Sequence, residues 1–296
     1  MQTFPHRLTG NSPDVAAFYD ADTGSWQYVV SDPETGQAAI IDPVLNFDPK
    51  AGATWTACAD AILDYVRDRA LTVAWILDTH PHADHFSAAH YLKGKLGAPT
   101  AIGAKVLQVQ EIWADLYADG SLKDRPDFWD RMWQDGESFA LGNLSVQVRL
   151  STGHTLASVS YLIGDAIFAH DTLMMPGSGS SRADFPGGSA AELWETIRMI
   201  LDLPGETRVF IGHDYGDEPA CMATVAEHRA SNKHVKDGIT REEFIRTREA
   251  RDATLSLPDR MLHALQVNLR GGRLPEPDAK GRAVLRVPLN RFATPE

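Results

Sequence analysis

The chain has 296 residues, 43% hydrophobic and 8% aromatic, an ordinary globular composition that excludes a disordered chain. Forty acidic against 28 basic side chains leave a formal charge of −12, so the long-range field repels polyanions and argues against a nucleic-acid partner. No window approaches the roughly 18 continuous apolar residues of a membrane span, and the start Met1-Gln2-Thr3-Phe4-Pro5-His6-Arg7 lacks a basic segment followed by an apolar run. A cytoplasmic protein without a membrane partner is therefore expected.

In chain order, apolar β-prone runs at 26–30 and 38–41 flank the turn-rich Asp32-Pro33-Glu34-Thr35-Gly36 and predict an antiparallel hairpin. Residues 55–69 repeat Ala57, Ala61, Ile62, Tyr65 and Val66 at helical spacing, and 71–77 follows as a buried strand ending at Asp78. Cys58 lies in that helical pattern and reads as core. With Cys221 it allows one bridge at most, too few for a disulfide framework. A second cycle predicts a helix at 87–96 stopped by Gly97, a strand at 99–102 and a helix at 104–113.

From Phe139 the texture changes to short strands at 139–141, 144–150, 159–163 and 166–169, punctuated by Gly142-Asn143, Gly153 and Gly164-Asp165. A helix at 190–201 and a strand at 207–211 complete an order that suits two sheets with helices outside. After about Asn232 the pattern is helical at 241–250 and 258–268, then loop-like. We read residues 1–231 as one α/β core domain and 232–296 as an extension packed on it.

Directly after the strand 71–77 comes Thr79-His80-Pro81-His82-Ala83-Asp84-His85, four metal-ligand side chains in six positions of a strand-to-helix loop. A lone histidine is usually a surface or hydrogen-bonded core residue, but four such groups together suit a divalent first-row metal. Alternate residues of an extended turn point the same way, so His80 and His82 can share one face, with Asp84 and His85 beside it. His154, Asp171 and His213 each follow a strand, with Gly153 giving the backbone freedom that turns His154 inward. His90, His170, His228, His234 and His263 lack that context and read as structural or surface groups. His170 is the hardest to dismiss, because it adjoins Asp171.

The THxHxDH loop, the later Gly-His, the strand-end Asp171 and Gly212-His213-Asp214-Tyr215 resemble the metallo-β-lactamase superfamily, an αββα sandwich. Asp171-Thr172-Leu173-Met174-Met175-Pro176, the segment Ser181-Arg182-Ala183-Asp184-Phe185-Pro186-Gly187-Gly188 and the tail Ala264-Leu265-Gln266-Val267-Asn268-Leu269-Arg270 resemble its bacterial persulfide dioxygenases, also called sulfur dioxygenases. That resemblance implies one Fe(II) per chain held by His80, His154 and Asp171, with His82, Asp84, His85 and His213 close by as catalytic groups that bind no second metal. Two histidines and a carboxylate on one face of Fe(II) leave open positions. The implied partners are glutathione persulfide and O2, the products glutathione and sulfite, and the assembly a homodimer.

Arg182 and Tyr215 match family residues near the substrate, and a guanidinium suits a carboxylate because it binds through two prongs. The plainer alternatives are a salt bridge from Arg182 to Asp184 and a core position for Tyr215. Asn268 and Arg270 either line the substrate pocket or seal the core. Where many relatives have Gly before the ligand Asp, this chain has His170, and Gly177-Ser178-Gly179-Ser180-Ser181 lengthens the segment before Arg182, so the thiol carrier stays open among glutathione, coenzyme A and other small thiols.

The rival reading is a binuclear zinc thioester hydrolase of the hydroxyacylglutathione hydrolase type. For it His80, His82, His154 and Asp171 would hold one metal, and Asp84, His85 and His213 the other. The charge of −12 weighs against the nucleases of the superfamily. A non-catalytic structural zinc site usually uses cysteine, and neither cysteine lies near the cluster.

Overall fold

The computed structural model describes residues 1–8 and 11–292. Antiparallel strands β1 (Gln2–Phe4), β2 (Asp14–Asp20), β3 (Ser25–Ser31) and β4 (Gln37–Ile41) open the chain, and β5 (Val44–Asp48) and β6 (Ala53–Trp55) form a side ribbon. Helix α1 (Ala57–Asp68) leads to β7 (Thr72–Leu77), and the short β8 (Phe86–Ser87) pairs with β5. Then come α2 (Ala89–Leu96), β9 (Thr100–Gly103), α3 (Val106–Tyr117) and β10 (Arg131–Trp133). The first sheet runs β1-β2-β3-β4-β7-β9-β10, its last three pairings parallel.

The second sheet begins with the meander β11 (Ser138–Leu141), β12 (Leu144–Leu150), β13 (Val159–Ile163) and β14 (Ala166–His170). After α4 (Ala190–Leu201), β15 (Arg208–Ile211) lies parallel to β14, and β16 (Met222–Thr224) closes the edge. Helices α5 (Val225–Ser231), α6 (Arg241–Asp252) and α7 (Met261–Asn268) follow.

Both faces of each sheet are covered, and that is why the strands read as continuous apolar runs. In β3, β4 and β7, Val30, Ile41 and Leu77 face the second sheet while their neighbours Val29, Ile40 and Ile76 pack under α1 and α2. In β14 and β15, Phe168 and Phe210 point between the sheets, and Ile167 and Val209 point to α4. Phe168 stacks on Phe210 at 5.0 Å with Tyr28 edge-on at 5.2 Å, so aromatic rings pin the two sheets together. The layers are therefore helix, sheet, sheet, helix, as the sequence predicts.

Residues after 231 pack on this frame at three places, one of them the cluster of Ile62, Phe86 and Leu92, which Ala264 and Val267 of α7 join. Phe244 of α6 joins the cluster of Leu193, Trp194 and Ile197 under α4, and Met261, Leu265 and Leu269 join Trp113 of α3. The elements that sequence periodicity did not foresee are weak in β-branched residues or short. β2 carries Ala16 and Ala17 at its centre, β1, β6, β8, β10 and β16 have three residues or fewer, and α5 has seven. Helix α3 runs to Tyr117, past the expected stop at 113.

Candidate metal centre

Each candidate ligand sits just past the C-terminal end of a strand. His80 follows β7, His154 follows β12, Asp171 follows β14 and His213 follows β15. An isolated bridge between Ser25 and His213, with the Trp26 amide donating to the Gly212 carbonyl at 2.8 Å, ties the two sheets together at this edge. Gly153 has φ 123°, and a Cβ there would strike the Leu193 backbone, so only glycine lets the chain turn His154 in at this point.

Three donors converge. His80, His154 and Asp171 offer atoms within 4.8 Å of one another, all buried. The Asp171 Oδ2 atom lies 3.8 Å from His80 Nε2 and 3.6 Å from His154 Nε2. Two donors each about 2.1 Å from one ion stand roughly 3–4 Å apart, so the spacing fits a single first-row metal. The far ring nitrogens are anchored: His154 Nδ1 donates to the Arg182 carbonyl at 2.8 Å, and His80 Nδ1 meets Thr79 Oγ1 at 3.0 Å. Thr79 Oγ1 in turn donates to Asp42 Oδ2 at 2.7 Å, while the Thr79 amide donates to Asp42 Oδ1. Both Nε2 lone pairs are thereby aimed at Asp171, the orientation that a bonded partner on the other nitrogen enforces. His80 Nε2 is buried without a protein partner. Burial, followed by the neighbouring imidazoles, lowers His80 well below the ordinary histidine value, and burial lowers His154 despite Asp171. Neutral imidazole is the form that binds metal.

Of the remaining polar groups, His213 is committed to carboxylates, whereas His82 at both ring nitrogens and His85 at Nε2 lack a hydrogen-bond partner among the described residues, and His82, Asp84 and His85 offer a further group of donor atoms within 4.8 Å of one another. His213 Nδ1 lies 2.6 Å from Asp171 Oδ1 and its Nε2 lies 2.7 Å from Asp84 Oδ2, so both nitrogens face carboxylates. Burial opposes protonation of His213, but Asp171 and Asp84 outweigh it and raise the imidazole well above its usual range. His85 Nδ1 also bonds Asp84 at 2.7 Å, and Ser25 Oγ donates to Asp84 Oδ2 at 2.9 Å. His82 Nε2 lies 3.0 Å from Asp42 Oδ1 without hydrogen-bond alignment. Burial pulls His82 down, yet the Asp42 charge carries it up to about 9. His170, whose φ is 42° where glycine would be unstrained, bonds Ser151 at 2.9 Å and Thr172 at 3.1 Å and is pushed by burial to about 3.

A cavity of about 740 Å³ opens over this centre, within the usual range for small-molecule sites. Arg182 and Tyr215 are on its wall. The Tyr215 ring is 70% exposed and lies parallel to His213 with centroids 5.9 Å apart, so it is not core. Arg182 also makes the two-pronged pair with Asp184, at 2.6 and 2.8 Å, and donates to the Ser256 carbonyl at 2.7 Å. Asn268 and Arg270 correct the substrate-binding expectation, since neither reaches the cavity. Asn268 Nδ2 donates to the His82 and His85 carbonyls, both at 2.7 Å, and its Oδ1 accepts from the Ser87 amide, so it braces the histidine loop from behind. Arg270 pairs with Asp119 at 2.8 Å beyond that brace. Sequence reasoning missed Asp42, whose signal was its place after an apolar strand, the same context as Asp171.

A family model described as the metallo-beta-lactamase superfamily matches residues 21–213, and the chain belongs to that superfamily. It is 58% identical over 287 residues to a "Beta-lactamase hydrolase-like protein" of Agrobacterium fabrum, covering 96% of this chain and 66% of the relative. The chain thus spans about two thirds of that longer protein. It is 40% identical to "Glyoxylase B2" of Dictyostelium discoideum, over 95% of this chain and 98% of the relative. To the human "Persulfide dioxygenase ETHE1, mitochondrial" it is 28% identical over 84% of each chain. The crystal structure of ETHE1 from Myxococcus xanthus superimposes with a TM-score of 0.72 at 29% identity, covering 88% of this chain and 99% of that one.

Proposed function

We propose that the protein is a persulfide dioxygenase with one Fe(II) held by His80, His154 and Asp171, acting on glutathione persulfide or a similar small persulfide. The observation that carries this reading is the arrangement of unused donors: three buried groups share one point, while His82 faces Asp42 and His213 is held at both nitrogens by carboxylates. Those two histidines, with Asp84 and His85, are the extra ligands that a two-metal hydrolase needs. Likeness in fold to the Myxococcus protein supports the reading.

Bound iron would supply open coordination positions and redox capacity for a thiolate and oxygen together. The overall change takes the terminal sulfur of the persulfide to sulfite, a four-electron oxidation matched by four-electron reduction of O2, with water supplying the third oxygen and thiol released. The protein's part is positional. Asp84 and Asp171 clamp His213, which fixes Asp171 Oδ1 and leaves Oδ2 turned to the two imidazoles. Tyr215 lines the cavity, where a phenol can orient the carrier, and Arg182 on the same wall is held by Asp184 and the Ser256 carbonyl.

The second reading, binuclear thioester hydrolysis, rests on the nearness of His82, Asp84 and His85 and of Asp84, Asp171 and His213 as further donor groups and on the relative named Glyoxylase B2. Oxygen uptake on adding glutathione persulfide to iron-loaded protein separates the two. Stoichiometric uptake with sulfite formation supports the dioxygenase, and thioester cleavage without uptake overturns it.

A further inference from the structure

Beside the large cavity lies a second, small one of about 20 Å³, with room for one diatomic molecule and none for a thiol carrier. Its lining is mostly apolar: Pro81, Val109, Trp113, Phe185, Pro186 and Leu265, completed by Ala83, His154 and Thr155. Ala83, His154 and Phe185 line the large cavity as well, so the two spaces share a wall that contains a metal-binding histidine. The hydroxyl and the imidazole on that lining are engaged. Thr155 Oγ1 lies 2.8 Å from Ser158 Oγ, and His154 donates from Nδ1 to the Arg182 carbonyl while its Nε2 lies 3.6 Å from Asp171 Oδ2. Water would find few partners there, and a pocket of that kind stays dry and takes up apolar atoms or molecules.

Four segments far apart in the chain build this pocket: the loop after β7, helix α3, the turn at 185–186 and helix α7, which supplies Leu265 from the extension. Val109, Trp113 and Leu265 are 4%, 2% and 4% exposed, whereas Phe185 and Pro186 are half-buried, so the walls reach from the protein's rim into its interior. Phe185 is held between neighbours. Its ring stands edge-on to His154 with centroids 5.3 Å apart, and the Arg182 guanidinium lies 4.8 Å from its centroid. Dioxygen is small and apolar, and moving such a molecule from water into a preformed apolar pocket is favourable.

We propose that this pocket holds dioxygen beside the metal centre and delivers it past Ala83 and His154, so that oxygen and the persulfide arrive through separate spaces. A carrier that fills the large cavity then leaves the oxygen route open. The proposal rests on the dioxygenase reading above and adds to it where the second substrate waits.

Crystals of the intact protein pressurised with krypton, an apolar atom near dioxygen in size that anomalous scattering locates, test the seat without turnover. Krypton should sit among Val109, Trp113 and Leu265 in the parent and be lost in Val109→Leu, which adds one methylene, and in Leu265→Phe, which adds more. The first is the milder overpacking, and the parent's krypton map stands without either variant. In iron-loaded protein both variants should raise KM for oxygen about five- to tenfold, with kcat at saturating oxygen and KM for persulfide retained. Ordered water or no krypton in the parent's pocket, or an unchanged KM for oxygen in a folded variant that has lost the krypton, overturns the oxygen pocket alone. If the parent consumes no oxygen with persulfide, the reaction assignment falls and the pocket's role falls with it.

Discussion

The His82 ring lies 4.1 Å from the His80 ring and 4.2 Å from the His85 ring, yet its Nε2 sits beside Asp42 and not beside Asp171. A mononuclear centre therefore has a distinct signature at single residues. His80→Ala, His154→Ala or Asp171→Ala should each abolish stoichiometric metal, read by elemental analysis, while His82→Ala should keep the metal and lose roughly 10–100-fold in activity. Loss of metal in His82→Ala equal to the other three would contradict the assignment. Asp42→Asn acts one step further out, by loosening the Thr79 bridge that aims His80. A fall of about 10–100-fold in metal affinity is expected, measured by competition with a chelator.

At the level of elements, the extension holds the loop after Asp171 through one buried ion pair, with Arg248 donating to the Ser180 carbonyl and Asp252 accepting from the Ala183 amide. Arg248 and Asp252 are 4% and 5% exposed, so removing one charge strands the other. Arg248→Ala should cost about 3–5 kcal/mol of stability in denaturant unfolding, far more than removal of an exposed pair such as Arg241 with Glu195. Strands 144–150 and 159–163 and helix 190–201 were legible because apolar spacing there is long and regular, and their bounds agree with β12, β13 and α4. His80, His154, Asp171 and His213 were legible as candidate donors from their places after strands, and the choice of the first three as the ligand set came from the family resemblance. What the sequence could not carry is where side chains of distant segments end. Asn268 and Arg270 lie in a motif that points to substrate, but the turn of α7 spends their groups on the histidine loop and on Asp119. Lys233 and Arg251 belong to no motif, and only the docking of residues 232–252 against the loop after Asp171 brings them to the cavity.

Over the whole molecule, buried neutral histidines set the response to acid. His228 is fully buried, accepts from Asn232 Nδ2 at 3.1 Å, and is lowered by burial to about 4, as His234 is. The unfolded chain takes up these protons near the ordinary value of about 6.5 while the folded chain refuses them, so stability falls as pH drops from about 6.5 to 4. The thermal midpoint should decline across that window, and His228→Gln should flatten part of the decline. A midpoint that rises on acidification would contradict the account.

The central claim, a three-ligand centre for one redox-active ion, is tested most directly by counting metal in active protein purified without oxygen. One iron per chain, lost with Asp171→Ala and accompanied by oxygen uptake on persulfide, is the predicted result. Two zinc ions per active chain would contradict it.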